Sequence, residues 1–212
     1  MRRLWKVPME MFVLPIVILV PACGGGAADS AAADDATPEQ AGPAPGTPEF
    51  KIQQALSASP EALAQAAAVM DWPATEGGQF TELRAGTNGW ACFPNTPANT
   101  GASGNDAMCL DKEFQTWAAA WTSKTAPKLT GVGFGYMLHG DIGASATDPF
   151  ATAATADNQW VVSGPHVMVV VPDPKQLDGL PGDANSGGPW VMWKGTPYAH
   201  VMMPVATPGA AH

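Results

Sequence analysis

The sequence has few basic residues, and this shortage argues against one broad class of partner. Only 10 of its 212 residues are Lys or Arg, against 19 Asp and Glu, and the formal net charge is −9. Proteins that bind nucleic acid neutralise phosphates with Lys and Arg. We therefore expect no nucleic-acid partner and no electrostatic attraction to anionic lipid.

The sequence also lacks the short motifs of several common enzyme classes. It contains no Gly-x-Ser-x-Gly or Ser-x-x-Lys nucleophile motif, and no Cys-x-x-Cys of the kind used in redox chemistry or haem attachment. No glycine-rich phosphate loop stands between a predicted strand and helix, and no repeat of solenoid length is present. These absences favour a non-catalytic role and leave an enzyme as the less favoured alternative.

The first 22 residues predict export. Arg2, Arg3 and Lys6 precede an apolar run from Met11 to Val20. A membrane-spanning helix needs about 20 apolar residues, so this run is too short to cross a bilayer. A basic start followed by a short apolar stretch is typical of a signal peptide.

The residues after the apolar run predict a lipid anchor. Val20-Pro21-Ala22-Cys23 resembles the lipobox of bacterial lipoproteins, with Pro21 in place of the usual small residue. The resemblance implies that Cys23 becomes the lipidated N-terminus. The lipid would hold the protein at a bacterial membrane, in the periplasm or facing the cell surface. The alternative is an ordinary secretory signal that is cleaved nearby.

The chain contains only three cysteines. An odd number in an exported protein needs an explanation, and lipidation of Cys23 provides one. It leaves Cys92 and Cys109, which we predict to form a disulfide in an oxidising compartment. The bond would close a loop of about 17 residues and stabilise the fold by about 3 kcal/mol. The alternative is two buried free thiols.

Composition divides the rest of the chain into three segments. Residues 23–49 consist mostly of Ala, Gly, Pro, Asp, Glu and Thr, and no large aliphatic or aromatic residue appears before Phe50. Such a segment cannot bury enough apolar surface to offset its ordering entropy, so we predict a disordered tether. Residues 50–207 have the length of one domain, and residues 208–212 are predicted to form a flexible tail.

Residues 50–207 predict a single α+β domain. In it, a mostly antiparallel sheet of five or six strands packs against about two helices. Ser59-Pro60-Glu61 is typical of a helix start. Asp111 is predicted to cap a second helix, because four apolar residues follow it at helical spacing. These are Phe114, Trp117, Ala118 and Trp121.

Apolar runs bounded by turn residues predict the strands. Asn88-Gly89 is a hairpin signal between the first two strands, and Gly195-Thr196-Pro197 separates the last two. His166–Val171 is apolar on both faces, so we place it in the centre of the sheet. The predicted strands cover residues 81–84, 90–93, 131–138, 160–171, 190–194 and 198–205.

Six stretches together resemble a group of uncharacterised secreted bacterial proteins. They are GTNGWACFP, DAMCLD, GYMLHG, TDPFA, GPHVMVVVP and GGPWVMWKGTPYAHVMMPV, and they extend over most of residues 50–206. No activity is established for that group, so the resemblance implies no catalytic or binding residue. It implies one coherent exported domain.

Histidine and methionine recur together two residues apart, which suggests a soft-metal site. The pairs are His166 with Met168, His200 with Met202, and Met137 with His139. Residues at this spacing share one face of a strand, so six side chains converge if the three strands are adjacent. Imidazole and thioether groups are copper ligands, and thioether favours Cu(I). The alternative is that methionine simply fills a sheet core.

A glycine-rich loop offers a catalytic alternative. Asp141 and Asp148 follow His139 there, and Asp141 with His139, His166 and His200 would supply the metal-dependent site of a small hydrolase. The simpler interpretation is that both aspartates shape turns.

Tryptophan is abundant after the signal segment, with seven residues against two tyrosines. Tryptophan can hold an apolar ligand or fill the layer between a sheet and its helices. Trp190 and Trp193 fall on opposite faces of a predicted strand, so at least one is expected near solvent. The sequence as a whole predicts a lipid-anchored domain that binds a small ligand, a metal ion or a partner. A small hydrolase and a purely structural envelope component are the alternatives.

Overall fold

The computed structural model describes residues 42–97 and 104–205. The predictions on the signal segment, on lipidation of Cys23, on the tether up to residue 41 and on the tail after residue 207 fall outside these residues. Over the described ranges, none of the helices combines the length and the hydropathy that a membrane span requires.

The described chain has the predicted α+β class and is built from short elements. Its α-helices are α1 (Pro48–Leu56), α2 (Glu61–Ala64) and α3 (Lys112–Thr122), and a 3₁₀ helix covers Pro174–Leu177. Its strands are β1 (Ala68–Asp71), β2 (Thr81–Arg84), β3 (Ala91–Phe93), β4 (Met108–Leu110), β5 (Gly133–Met137), β6 (Ala144–Ser145), β7 (Trp160–Val161), β8 (His166–Val170), β9 (Trp190–Met192) and β10 (His200–Pro204).

One large mixed sheet stands where the sequence predicted a smaller antiparallel one. Eight strands lie in the order β2-β1-β3-β4-β5-β8-β10-β9, while β6 and β7 pair separately. Neighbours in the large sheet are antiparallel except β1 and β3, which are parallel. The prediction of five or six strands was wrong, because a strand as short as β4 carries too few residues to show an alternating pattern.

The predicted hairpin at Asn88-Gly89 was also wrong, although both of its strands form. β1 lies between β2 and β3, and the Ala68 N–H donates to the carbonyl of Trp90 at 2.9 Å. The connection passes so close to β1 at Gly86 that a Cβ atom there would lie 2.0 Å from the Ala68 nitrogen. Only glycine permits this approach. The second hairpin is confirmed, since β9 pairs with β10 and Gly195 in the connection has a φ of 83°.

The helix starts agree only in part with the predictions. Asp111 caps α3 as predicted, accepting a hydrogen bond from the Phe114 N–H at 2.9 Å. The helix predicted after Ser59 has only four residues. Pro60 occupies its cap position, and the buried Ser59 hydroxyl has no hydrogen-bond partner within the described residues. α1 was not predicted; it begins at the end of the segment assigned to the tether, and Thr47 caps it.

Asp111→Ala is expected to lower the free energy of unfolding by about 2 kcal/mol. Besides capping α3, Asp111 accepts a hydrogen bond from the Phe134 N–H of β5 at 2.8 Å, so the substitution removes the acceptor of two backbone donors. Thr47→Ala removes a cap from α1 alone and is expected to cost about half as much. Chemical denaturation measures both losses. Equal losses would contradict the link between α3 and β5.

The large sheet carries a different layer on each face. α3 packs on one face, where a Cβ atom at Gly133 would lie 2.8 Å from the Phe114 nitrogen. α1 packs on the opposite face, beside the disulfide between Cys92 and Cys109. This disulfide is confirmed, and it joins the neighbouring strands β3 and β4. The covalent link therefore lies on the face turned away from α3.

Candidate functional site

The histidine and methionine residues predicted to converge lie on three neighbouring strands. β5, β8 and β10 are consecutive in the sheet. His166 lies opposite Met137 of β5, and Met168 lies opposite Met202 of β10. All four are buried, and His200, two residues before Met202, shares their face. The register therefore brings five of the six side chains onto the face that α3 covers.

His139 is the exception among the six. β5 ends at Met137, and His139 lies exposed in the turn that follows. The alternation of side chains along a strand, which grouped His139 with Met137, therefore does not apply to it. His166 and His200, in contrast, are only 1 % and 2 % exposed.

A cavity of about 540 Å³ lies against this face of the sheet. Strand residues, α3 and the segment 141–152 all contribute to its mainly apolar lining. The lining contains five tryptophans, Trp72, Trp117, Trp121, Trp160 and Trp193. Cavities of this size, with an apolar lining and a few polar groups, are typical of small-molecule sites.

Three of these tryptophans form a stack. The ring centroid of Trp117 lies 5.7 Å from that of Trp193 and 6.0 Å from that of Trp121, with interplanar angles of 6° and 20°. Trp193 Nε1–H donates to the carbonyl of Ser145 at 2.7 Å, and Trp121 Nε1–H donates to that of Pro149 at 2.9 Å. These two hydrogen bonds hold the segment that carries both carbonyls against the stack.

One ring of the stack, that of Trp117, has an unused donor. Trp117 Nε1–H is buried and has no hydrogen-bond partner among the described residues. A buried donor without a partner costs about 1–3 kcal/mol. Trp117 lines the cavity, and an acceptor on a bound molecule that reached this N–H would remove that cost.

Sequence reasoning did not identify the unpaired donor of Trp117. Its helical spacing with Trp121 fits a packing residue equally well, and an unpaired indole N–H leaves no trace in a sequence. The expectation that Trp190 or Trp193 lies near solvent was wrong. β9 ends at Met192, and Trp193 turns inward with a φ of 55°, so both tryptophans are buried.

His200 lies in the lining among aromatic rings. Its ring centroid is 5.0 Å from that of Trp193 and 5.2 Å from that of Trp117, and it stands nearly perpendicular to both. Its Nδ1–H donates to the carbonyl of Tyr198 at 3.0 Å, because a carbonyl can only accept. Burial, with a smaller contribution from the nearby His166 imidazole, lowers the pKa of His200 to about 4, although the hydrogen bond to Tyr198 acts the other way. His200 is therefore neutral at pH 7, with Nε2 as an acceptor.

His166 has the same arrangement. Its Nδ1–H donates to the carbonyl of Gly164 at 2.7 Å. Its Nε2 is buried and has no hydrogen-bond partner in the part of the chain that the structure describes. Burial lowers the pKa of His166, although the hydrogen bond to Gly164 and the charge of Asp141 act the other way. The structure thus holds a second neutral imidazole with a bare nitrogen lone pair.

The two aspartates of the predicted catalytic loop make turn contacts. Asp141 Oδ1 accepts hydrogen bonds from the N–H groups of Gly143 and Ser163, each at 3.0 Å. Asp148 Oδ1 accepts one from the Phe150 N–H at 2.9 Å. Within residues 42–97 and 104–205, no three His, Cys, Asp or Glu side chains are placed to hold a metal ion. These residues therefore provide no metal centre for the hydrolase hypothesis.

Charged residues in the lining are mostly acidic. Lys124 is the one basic residue, and its Nζ lies 2.7 Å from a carboxylate oxygen of Glu76 and 5.8 Å from the ring centroid of Phe150. The acidic residues are Glu76, Asp106, Asp141 and Asp148. An anionic ligand would therefore meet repulsion in this cavity.

Comparison of the chain with protein-family models, with curated proteins and with solved structures finds no match.

Proposed function

We propose that the chain is an exported, non-catalytic binding protein of the bacterial cell envelope. A lipid on Cys23 holds it at the membrane, and its domain takes a small, neutral, mainly apolar molecule into the tryptophan-lined cavity. The export pattern, the lipobox resemblance and the likeness to secreted bacterial proteins support the location. The cavity of about 540 Å³ supports the binding role.

The buried Trp117 Nε1–H is the observation that carries this proposal. Three other tryptophans of the lining, Trp72, Trp121 and Trp193, donate their N–H groups to backbone carbonyls. A folded core seldom leaves one donor of such a set without a partner. The ligand therefore offers a hydrogen-bond acceptor to Trp117, and His200 Nε2 can accept from a donor on the same ligand.

The chemical class of the ligand follows from the lining. Apolar contacts with tryptophan and methionine supply most of the binding free energy, since burial of apolar surface contributes about 25 cal/mol per Å². The acidic residues disfavour an anion, and the neutral imidazole of His200 brings no charge to attract one. A ring compound that carries one carbonyl or hydroxyl group meets these conditions.

The probe 6-propionyl-2-dimethylaminonaphthalene is expected to bind the protein with a blue-shifted emission. It is neutral and apolar, and it carries one carbonyl acceptor. Trp117→Phe is expected to weaken its binding about tenfold, because a hydrogen bond is worth about 1 kcal/mol or slightly more. Trp90→Phe is the matched control, since Trp90 packs on Tyr136 away from the lining of this cavity. A fluorescence titration measures all three affinities.

An anionic probe separates this site from a generally sticky surface. The neutral probe is expected to bind more tightly than 8-anilinonaphthalene-1-sulfonate, which has the same fused ring system and a negative charge. Equal affinities, or equal losses in Trp117→Phe and Trp90→Phe, would contradict the proposed site. Absence of binding by either probe would favour the structural envelope role.

A further inference from the structure

We propose that the sheet face beneath α3 also contains a Cu(I) site, formed by His166 Nε2 with the thioether sulfurs of Met137, Met168 and Met202. This inference does not rest on the organic ligand. It rests on strand register, on the unpaired imidazole nitrogen and on the chemistry of the four donors.

The register places three methionines around His166. Met137 lies directly opposite it on β5, and residues in this relation have Cβ atoms about 4.5–5.5 Å apart. Met168 follows two residues later on the same face of β8. Met202 lies diagonally across on β10, because Pro204 is opposite His166, and such diagonal neighbours lie about 7–8 Å apart. Long side chains reach across these distances.

The local structure leaves room for sulfur at this point. Gly135 lies opposite Met168, and a Cβ atom at Gly135 would come within 2.9 Å of the Met168 methyl carbon. The Met168 side chain therefore extends over β5, the strand that carries Met137. All three methionines line the cavity, so a metal ion has a route to them.

His166 has the arrangement of an imidazole ligand. Histidines that bind metal usually donate their second ring N–H to a carbonyl or carboxylate, which orients the ring and raises its basicity. His166 does so through Nδ1–H to Gly164 at 2.7 Å. Its Nε2 lone pair is buried, and no protein donor among the described residues occupies it.

The donor set selects the ion. Thioether and imidazole are neutral, and no three hard or thiolate ligands converge within the described residues. Thioether sulfur favours Cu(I), whereas carboxylate oxygen suits Mg²⁺ and Ca²⁺ and thiolate suits Zn²⁺. A monovalent ion also places less charge in a buried apolar environment than a divalent one.

A competition experiment tests the site. The full chain carrying Cys23→Ser, which removes a competing thiol, is titrated without oxygen into the Cu(I) complex of bicinchoninate under ascorbate, and the loss of colour is followed. We expect one equivalent of Cu(I) to move to the protein. The triple change Met137→Leu, Met168→Leu and Met202→Leu is expected to weaken binding at least tenfold, because Leu replaces Met with little change in volume.

Met203→Leu is the matched control. Met203 is the next residue on β10, and it packs on the opposite face of the sheet with Val201. Binding that survives Met203→Leu and falls in the triple variant supports the site. If the triple variant does not fold, the Cu(I) affinity of Met202→Leu is compared with that of Met203→Leu instead, and only the first is expected to be weaker. Failure of the parent protein to take up Cu(I), equal uptake by the methionine variants, or tighter binding of Zn²⁺ than of Cu(I) would overturn the proposal.

The two sites fail independently. Trp117→Phe is expected to change the affinity for the naphthalene probe and leave Cu(I) uptake unaltered. Met203→Leu, on the other face of the sheet, is expected to leave both unchanged. Loss of both activities in either variant would show a folding defect, and tertiary circular dichroism of the variant identifies that case.

Discussion

Acidification from pH 7 to pH 4 is expected to lower the free energy of unfolding by about 3 kcal/mol through His200 alone. Burial lowers the pKa of His200 from 6.5 to about 4 in the folded protein. The unfolded chain therefore binds the proton first as the pH falls. Titration of His200 leaves the free energy of unfolding unchanged above about pH 6.5, lowers it between pH 6.5 and pH 4, and has no further effect below pH 4. The lowered pKa of His166 acts in the same direction.

Replacement of His200 tests this pH dependence. His200→Phe keeps a ring among Trp117, Trp193 and Phe114 and removes the titrating group. The decline in the free energy of unfolding between pH 6.5 and pH 4 is expected to become much shallower. His139→Phe is the control, because His139 is exposed, and it should retain the full decline. Equal pH profiles for the two variants, measured by urea denaturation, would contradict the burial of a neutral His200.

Removal of the disulfide is expected to lower the free energy of unfolding by about 3 kcal/mol. Cys92 and Cys109 are fully buried and are separated by 17 residues along the chain. The bond between them restricts the unfolded chain, and this restriction accounts for most of its effect in the chain-entropy model. For a domain of this size the melting temperature is expected to fall by roughly 6–12 °C in the double change Cys92→Ala with Cys109→Ala.

The disulfide variant also tests the separation of the two sheet faces. The bond lies beside α1, on the face turned away from α3. The variant should therefore bind the neutral naphthalene probe as tightly as the parent protein at a temperature where both are folded. An unchanged melting temperature would contradict the stabilising role. A large loss of probe affinity would show that the two faces are coupled.

The sequence predicted what depends on local chemistry. Asp111 was identified as a helix cap because an acceptor followed by helically spaced apolar residues is a local signal. The shared face of His166 with Met168, and of His200 with Met202, followed from the period of two in a strand. The disulfide followed from counting cysteines in an exported chain.

The features that depend on distant contacts were not predicted. β1 lies between β2 and β3 because Gly86 lets the connection pass over Ala68, and no pattern near Asn88-Gly89 records the position of β1. His139 left the predicted group because β5 ends two residues earlier than the pattern required. The carbonyls of Ser145 and Pro149 accept hydrogen bonds from Trp193 and Trp121. The Trp117 N–H is left unpaired as a result of these distant contacts.

The indole N–H signals of the tryptophans test the central claim most directly. A ¹H–¹⁵N spectrum is recorded while the neutral naphthalene probe is added, and Trp117→Phe assigns the Trp117 signal. The cavity site predicts that the Trp117 indole signal moves most, because its N–H gains an acceptor that it lacks in the free protein. The signals of Trp72, Trp121 and Trp193 should move less, since backbone carbonyls already accept from them. A Trp117 signal that stays in place while the probe binds would contradict the account.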